Sequence, residues 1–277
     1  MGDRSPEFIE AISRGLSVIR AFSAEYPALT LSQVAQEAGL ARPTARRILM
    51  TLQDLGYVRA DDGYFQLTPK VLELGMSYVG SLGLWDVARP HLKDLVSTTG
   101  ESSSMSQLDG SDIVYVARVA VPKLISLRVD IGTRFPAPPT SQGKVLLAWM
   151  EPEKVIELLT QPSSSPVVPV MQWKKQPFFD ELQRVRTQGY AVADEELARG
   201  IRSIAVPVRD ASGNVRAAMN TTVHAAETSV EDLTGGHLRN LRQAAAAVEK
   251  DWKRWQSLPT LTQTPAGRRG GRPPLLA

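Results

Sequence analysis

Apolar residues in the first part of the chain recur at helical spacing in three separate segments. The first runs from Phe8 to Phe22, where apolar side chains fall every three or four residues and form one stripe. The second, LSQVAQEAGL, follows Thr30, which occupies an N-cap position and has a glutamine three residues later, as in a capping box. The pattern predicts two helices, the second ending at Gly39.

The third helix is expected to start at Pro43, a residue favoured at the first helical position, to continue through TARRILMTLQDLG and to end at Gly56. Its predicted inner stripe consists of Ala45, Ile48 or Leu49, Leu52 and Leu55. Two short helices joined around a glycine are typical of a helix-turn-helix. The alternating segment YVRADDGYFQLT then predicts a hairpin that turns at Asp61-Asp62-Gly63. Residues 1–68 are therefore expected to form a winged helix-turn-helix.

The exposed start of the third helix carries arginine and hydroxyl side chains that could contact DNA. A bare helix fits the major groove, and an arginine can donate two hydrogen bonds to guanine. We expect one or two arginines to contact bases and the others to hold phosphate, a division that the sequence leaves open. The expected DNA-binding residues are Thr30, Ser32, Arg42, Pro43, Thr44, Arg46, Arg47 and Arg59. The alternative, a merely solvated arginine face, is disfavoured by the capped helix before it and the hairpin after it.

Residues 69–83 predict a connecting helix with Leu72, Met76, Val79 and Leu82 on one face. Packing against the same helix of a second chain would bury this stripe, and two-fold pairs suit palindromic operators. The sequence therefore predicts a homodimer or tetramer. Docking of the stripe on the chain's own second domain is the alternative.

The remainder, residues 84–256, mixes strands and helices in the order of an α+β domain. Pro90 predicts a kink or helix restart near Ala88. The expected strands cover 103–108, 112–120, 124–129, 190–194, 201–208 and 215–223, and the expected helices cover 141–159, 177–188 and 230–256. Helices on one side of such a sheet would form a cup able to enclose a small molecule.

Composition narrows the chemistry by what it excludes. The 277 residues include no cysteine and three histidines, which are too scattered for a short metal motif, and no nucleophile-elbow or phosphate-loop pattern occurs. Asp194, Glu195 and Glu196 could do acid and base work, but Arg199 and Arg202 beside them favour an ordinary loop of compensated charge. The sequence predicts no enzyme, no metal site and no cofactor.

The net charge of +3 comes from the end of the chain. Residues 1–80 hold 8 basic and 9 acidic side chains, residues 81–249 hold 18 and 19, and residues 250–277 hold 6 and 1. Residues 257–277, with GRRGGRPPLLA, are expected to be a disordered basic tail, with weak phosphate binding as the alternative. The start MGDRSPEFIE and the short apolar runs predict a cytoplasmic protein without a membrane segment.

The run LSQVAQEAGLARPTARRILMTLQDLGYVRADDGYFQLTPKVLELG resembles the DNA-binding region of the IclR family of bacterial transcription regulators. Three later segments extend the resemblance over about residues 8–256: WDVARPHLKDLVSTTGESSSMSQLDGSDIVYV, FPAPPTSQGKVLLAW and GYAVADEELARGIRSIAVPVRDASGNVRAAMN. The resemblance implies an N-terminal winged helix, a linker helix used in dimerisation and a C-terminal effector-binding domain of GAF-like α/β type.

Two further segments, IRSIAVPV and TTVHAAE, are similar to the branch that regulates protocatechuate, 4-hydroxybenzoate and β-ketoadipate catabolism, the PcaR, PcaU and PobR type. That resemblance implies an aromatic acid or its dicarboxylate ring-cleavage product as effector. The residues alone indicate a small anion, because hydroxyls and free N–H groups meet at the helix start after Thr140, with Arg134 as a candidate counter-charge.

The resemblance implies effector contacts at this turn and on two later strands, where alternation puts Ser203 with Ala205, and Asn220 with Thr222, on common faces. The expected effector-binding residues are Arg134, Thr140, Ser141, Gln142, Gly143, Ile201, Ser203, Asn220 and Thr222. The predicted function is a transcription regulator that binds operator DNA and a small carboxylate. The alternatives are a small-molecule-processing enzyme with a winged helix for protein contact and an architectural DNA protein without a ligand.

Overall fold

A computed structural model describes residues 7–23, 25–74, 84–122 and 129–257. The chain divides into two compact units between residues 82 and 83. Three expectations fall outside the described residues: the second half of the connecting helix, most of the strand at 124–129, and the tail beyond residue 257.

The first unit combines three helices with a three-stranded antiparallel sheet. Its elements are α1 (Glu10–Arg20), β1 (Ala28–Thr30), α2 (Leu31–Glu37), α3 (Arg42–Asp54), β2 (Val58–Asp61) and β3 (Tyr64–Leu67), followed by a 3-10 turn at Pro69–Val71. The strand order is β1-β3-β2. The core beneath the sheet contains Val18, Val34 and Leu49, all fully buried.

The predicted local signals act at the ends of α2 and α3 and at the hairpin. The Gln33 amide donates to Thr30 Oγ1 at 3.4 Å, and the Thr30 amide donates to Gln33 Oε1 at 2.9 Å, which completes the capping box. Helix α3 starts one residue earlier than expected, so that Pro43 is its second residue. Asp62 and Gly63 both have positive φ, at 45° and 79°, as a two-residue hairpin turn requires.

Only the second half of the predicted stripe on α1 belongs to the core. Phe22 is buried and Ile19 packs against the core, whereas Ile12 is 59% and Leu16 is 52% exposed. An open groove lies between the first turns of α1 and the side of α3, and neither Ile12 nor Leu16 lines it. The stripe correctly predicted the helix but not how much of it this small unit can cover.

The second unit is built on one six-stranded antiparallel sheet with the order β6-β5-β4-β9-β8-β7. Its strands are β4 (Ser102–Asp109), β5 (Asp112–Val119), β6 (Arg134–Pro136), β7 (Ala191–Asp194), β8 (Ile201–Arg209) and β9 (Val215–His224). Its helices are α4 (Leu84–Thr99), α5 (Ser141–Ala148), α6 (Pro152–Leu159), α7 (Lys175–Gln188), α8 (Val230–Asp232) and α9 (Leu238–Ser257), with a π-helical turn at Leu233–His237.

Helices cover both faces of this sheet, and the expectation of a one-sided cover is wrong. Ala205 and Ala218 pack with residues of α5, α6 and α7 in one apolar cluster. The alternate residues of β8, Ile204 and Val206, are also buried. They face the opposite side, where α9 contacts β8 and α4 contacts β5. The sheet is therefore the middle of three layers.

Other differences concern element ends. Helix α4 continues through Pro90 without a restart, and the expected helix at 141–159 is divided between Ala148 and Pro152. The expected last helix contains the π-helical turn, and the short strand β6 was not predicted.

Candidate functional site

The start of α3 presents unpaired cationic side chains to solvent. Arg42, Arg46 and Arg47 are exposed, while Ala45 and Leu49 on the opposite side of the helix are fully buried. None of the three arginines forms an ion pair with a residue that the structure describes. Their guanidinium groups are thus free to meet a polyanion.

The other expected DNA-binding residues differ in their availability. Ser32 and Pro43 are exposed, and Thr44 is half-buried. The Thr30 hydroxyl already donates to Gln33 Oε1 at 2.8 Å within the capping box. The Arg59 Nε and Nη2 atoms donate to Gln66 Oε1 at 3.0 and 2.7 Å across the hairpin, which orients this arginine on the wing.

A cavity lies between the sheet of the second unit and the N-terminus of α5. The cavity is tight in this structure: its free volume is about 40 Å³, below the several hundred Å³ that are usual for small-molecule sites. Seven expected residues line it: Thr140, Ser141, Gln142, Ile201, Ser203, Asn220 and Thr222. Sequence reasoning missed Tyr115, Arg118, Val129, Phe135, Pro139, Ala193 and Leu197.

Strand register explains why residues far apart in sequence share this cavity. Residues directly opposite each other in antiparallel strands point to the same face of a sheet. Ser203 lies opposite Thr222, and Asn220 lies opposite Ser104, which in turn lies opposite Arg118. These pairs form two neighbouring rows across β8, β9, β4 and β5.

A β-bulge brings Tyr115 and Arg118 to the same face although they are three residues apart. Met105 pairs with Ala117 and Ser106 pairs with Tyr115, which leaves Val116 as the extra residue. Strict alternation would have placed Tyr115 and Arg118 on opposite faces.

Arg118 supplies the positive charge of the cavity. Its Nη1 atom donates to Ser104 Oγ at 3.2 Å, and it forms no ion pair with a described residue. Burial lowers the pKa of the Arg118 guanidinium, an effect that Tyr115 and Asp130 partly oppose. An arginine remains charged at neutral pH despite such a shift. An anion entering the cavity would therefore meet a cation that Asp130 influences but does not pair with.

Tyr115 is a neutral hydrogen-bond donor in the same cavity. Burial raises the pKa of its phenol to about 12, against which the nearby Arg118 acts only partly. Its ring packs edge-on against Phe135, with the centroids 5.6 Å apart. The aromatic pair contributes apolar surface to the cavity.

The first turn of α5 adds donors to the cavity. Thr140 Oγ1 accepts from the Gly143 amide at 3.0 Å and donates to the Ala137 carbonyl at 2.9 Å, so this hydroxyl is committed to capping. Ser141 Oγ and Ser203 Oγ lie 2.8 Å apart. The amides of Ser141 and Gln142 belong to the first turn and are not needed by the helical hydrogen-bond ladder.

Two buried carbonyl oxygens on cavity-lining residues have no hydrogen-bond partner, Gln142 Oε1 and Asn220 Oδ1. The other end of each amide is fixed: Gln142 Nε2 donates to the Ala218 carbonyl at 3.1 Å, and Asn220 Nδ2 donates to Thr222 Oγ1 at 3.1 Å. Because unsatisfied buried acceptors are costly, each of these two oxygens favours a hydrogen-bond donor, which an ordered water or a ligand could bring.

Two expected effector residues do not line the cavity. Arg134 pairs instead with Asp109 and, at 3.9 Å, with Asp112. The counter-charge in the cavity is Arg118. Gly143 packs its backbone against Ala137, where an added Cβ would lie 2.0 Å from the carbonyl oxygen. Its glycine identity is thus explained by close backbone packing.

The acidic loop after β7 is held by its own contacts, as the interpretation of compensated charge expects. Asp194 Oδ1 accepts from Arg202 Nε at 2.7 Å, and Glu195 Oε2 accepts from the Gly200 amide at 2.7 Å. Glu196 contacts Lys144, a partner that the sequence did not reveal. Among the residues that the structure describes, no group of three or more His, Asp or Glu side chains could hold a metal ion.

Within the described ranges, no helix combines the length and apolar character that a membrane crossing requires.

Both units match models of known families. Residues 11–62 match the IclR helix-turn-helix domain, and residues 76–250 match the bacterial transcriptional regulator IclR C-terminal domain.

Individual relatives agree with these matches. The chain is 39% identical over 229 residues to the Pca regulon regulatory protein of Pseudomonas putida, covering 82% of this chain and 79% of that protein. It is 36% identical over 222 residues to the p-hydroxybenzoate hydroxylase transcriptional activator of Acinetobacter baylyi, covering 78% and 82%. A solved IclR homolog from Microbacterium hydrocarbonoxydans, complexed with 4-hydroxybenzoate, superimposes with a TM-score of 0.77 at 26% identity, covering 88% of this chain and 100% of that one.

Proposed function

The chain belongs to the IclR family of bacterial transcriptional regulators, and we propose that it controls genes of aromatic-compound catabolism in response to a hydroxylated aromatic carboxylate. It is a DNA-binding transcription regulator rather than an enzyme. The first unit binds operator DNA through α3, and the cavity of the second unit binds the acid. Such a regulator acts in the bacterial cytoplasm, where its operator lies.

The observation that carries the proposal is Arg118, a charged side chain that lines the cavity and forms no ion pair with a described residue, although Asp130 lies near enough to raise its pKa. A partly buried cation attracts a carboxylate more strongly than a fully exposed one, because less solvent screens it. The phenol of Tyr115 and the free amides of Ser141 and Gln142 supply neutral donors for the same carboxylate.

The two unpartnered side-chain amide oxygens, Gln142 Oε1 and Asn220 Oδ1, favour a ligand that carries a hydrogen-bond donor in addition to its carboxylate. A hydroxyl on an aromatic ring would donate to Asn220 Oδ1 or Gln142 Oε1. A dicarboxylate of the β-ketoadipate type would bring a second anion toward these oxygens and leave them unsatisfied. The aromatic surface of Tyr115 and Phe135 also suits contact with an aromatic ring. The names of the relatives, which include a p-hydroxybenzoate-related activator and a 4-hydroxybenzoate complex, point to the same ligand class.

On the DNA side, Arg46 and its neighbours on α3 would lie in the major groove while Arg59 holds the wing near the backbone. A homodimer, or a pair of dimers, would place two such helices on a palindromic operator. The acid would act by changing the affinity of that assembly for DNA, which is a coupling free energy between two sites.

Calorimetric titration of the full chain tests the ligand assignment with three matched compounds: 4-hydroxybenzoate, benzoate and methyl 4-hydroxybenzoate. We expect 4-hydroxybenzoate to bind about five- to thirty-fold more tightly than benzoate, since a hydrogen bond to a buried unsatisfied acceptor contributes roughly 1–2 kcal/mol. The uncharged ester should give no measurable binding. Equal affinities for all three compounds, or no binding of any, would refute the assignment. Conversion of 4-hydroxybenzoate to a product during the titration would favour the enzyme alternative.

A further inference from the structure

Lys144 is a fully buried lysine whose ammonium group meets three acceptors. Its side chain is 1% exposed. The Nζ atom lies 2.6 Å from Glu181 Oε1, 2.5 Å from Glu196 Oε1 and 3.1 Å from the Val192 carbonyl oxygen. Three acceptors match the three protons of an ammonium group, so this buried charge is completely satisfied.

The three charged residues belong to three different elements. Lys144 lies in α5, three residues after Ser141 and two after Gln142. Glu181 lies in α7, and Glu196 lies in the loop of residues 195–200, which we call the wall loop. The Lys144–Glu196 ion pair therefore ties the wall loop to the helix whose first turn provides the donors of the cavity.

The wall loop forms part of the cavity through Leu197, and Ile201, which lines the cavity too, directly follows the loop. Its backbone is bent at Glu195, a non-glycine residue with a φ of 55°, which costs free energy that neighbouring contacts must offset. The segment before α7 also contacts the wall loop. The Val170 amide donates to the Leu197 carbonyl at 3.3 Å, and the Met171 amide donates to the Glu196 carbonyl at 2.9 Å.

We propose that Glu196, held by Lys144, is a positioning residue that keeps Leu197 against the effector cavity and thereby sets effector affinity. The inference rests on the proposed function of the cavity. Glu181 completes the surroundings of the ammonium but belongs to α7 and does not line the cavity. The two carboxylates thus share one partner and differ in what they hold.

Charge balance makes this difference testable without unfolding the chain. Lys144 faces two carboxylates, so removing either one leaves a neutral lysine–glutamate pair in the interior. Burial raises the pKa of the Glu196 carboxyl, with Lys144 opposing the shift and Glu181 adding to it. Truncation of Lys144 itself would leave two unbalanced carboxylates and is the less informative change.

The first experiment needs no ligand. Amide hydrogen exchange of the full chain is compared among wild type, Glu196→Ala and the matched control Glu181→Ala. In Glu196→Ala we expect residues 194–201 to lose protection by about ten-fold or more, because local opening is controlled by the contacts that close it. In Glu181→Ala the same segment should exchange as in wild type. Equal loss in both variants, or loss in neither, would overturn the proposal.

The second experiment measures the affinity of each variant for 4-hydroxybenzoate by calorimetry. We expect Glu196→Ala to weaken binding about ten-fold or more, while Glu196→Gln, which still accepts a hydrogen bond from Lys144, recovers most of the affinity. Glu181→Ala should bind within about two-fold of wild type. Equal weakening by Glu181→Ala and Glu196→Ala would show a general loss of packing and overturn the assignment.

The two experiments separate this inference from the function on which it rests. If wild type gives no binding heat with 4-hydroxybenzoate, the ligand assignment of the cavity fails, and hydrogen exchange alone then decides whether Glu196 positions the wall loop. If wild type binds and Glu196→Ala binds equally well, the proposed function stands and the role of Glu196 is refuted.

Discussion

Replacing Gly143 by alanine adds one methyl group at the most crowded glycine that the structure describes. The ideal Cβ would lie 2.0 Å from the Ala137 carbonyl oxygen and 2.5 Å from its carbonyl carbon and Cα. Real Cβ atoms essentially never approach another heavy atom within 3.0 Å. Since the neighbour is backbone rather than a flexible side chain, the first turn of α5 must move away from Ala137 by about 1 Å.

Two opposing contributions set the size of the effect. Alanine is favoured over glycine in a helix by about 1 kcal/mol, which stabilises the variant. Overpacking of a buried site costs about 1–3 kcal/mol, and a backbone neighbour on the crowded side favours the upper end of that range. The net expectation is a loss of about 1–2 kcal/mol, which lowers the Tm of a unit of this size by about 2–8 °C.

The displaced turn carries the Ser141 and Gln142 amides, so the affinity for 4-hydroxybenzoate should fall together with stability. Thermal unfolding followed by circular dichroism measures the first effect, and calorimetry measures the second. Gly15→Ala is the matched control, because its added Cβ meets no heavy atom within 4 Å and α1 should gain up to about 1 kcal/mol. If Gly143→Ala kept wild-type stability and affinity, the explanation of this glycine by backbone packing would be wrong.

The remaining predictions concern charge, DNA contact and protonation. Arg118→Met should weaken 4-hydroxybenzoate binding about 10- to 150-fold, the range expected for a charged hydrogen bond. The control Arg134→Gln should leave the calorimetric affinity unchanged. Equal weakening by both variants would contradict the assignment of Arg118 as the residue that binds the carboxylate. If Arg46 contacts a base, Arg46→Ala should cost about 1–3 kcal/mol of operator binding relative to a random duplex. If Arg46 contacts phosphate, the variant should lower the affinity for both duplexes and reduce the salt dependence of binding. Unchanged binding to both duplexes would show that Arg46 does not contact the DNA. Thr30→Ala should destabilise the first unit by about 1 kcal/mol in urea unfolding through loss of the capping box, and an unshifted midpoint would contradict this. Burial raises the folded-state pKa of Tyr115 from 10.0 to about 12. Its contribution to stability is therefore complete below pH 10 and is lost as the pH rises from 10 to about 12. The urea unfolding midpoint of the wild type should fall in that window, and that of Tyr115→Phe should fall less.

The parts of the first unit that could be predicted from sequence are those fixed by neighbours along the chain. The Thr30 cap, the early Pro43 and the Asp62-Gly63 turn each depend on residues within one helical turn or one hairpin. Strand β1 was missed because three residues give no readable alternation, and its pairing partner β3 lies more than thirty positions later. The exposure of Ile12 was missed because the spacing of apolar residues shows which face of a helix is apolar but not how much of that face the rest of the unit covers.

Part of the cavity could be predicted from the sequence because the facing of strand residues is also set by neighbours along the chain. Strands β8 and β9 alternate regularly where they line it, so Ser203, Asn220 and Thr222 could be assigned to their faces. Arg118 could not, because the bulge at Val116 reverses the alternation of β5, and a bulge leaves no simple mark in the sequence. A lone arginine in the apolar run IVYVARVAV was the available signal.

Lys144 shows the limit of local reasoning most clearly. In the sequence it stands at the start of an apolar helical run, where a lysine would ordinarily be solvent-exposed. It is buried because Glu181 and Glu196, 37 and 52 residues later, converge on its ammonium group. The cost of burying that charge is offset only by the tertiary fold.

The most direct test of the account measures operator affinity with and without the acid. Fluorescence anisotropy would follow the binding of the full chain to a labelled duplex from the DNA upstream of its own gene, first alone and then saturated with 4-hydroxybenzoate. We expect specific binding at low salt and a change of about 5- to 150-fold in Kd on adding the acid, the usual range for coupled sites. An unchanged Kd with the acid bound, or no preference for that duplex over random DNA, would contradict the account.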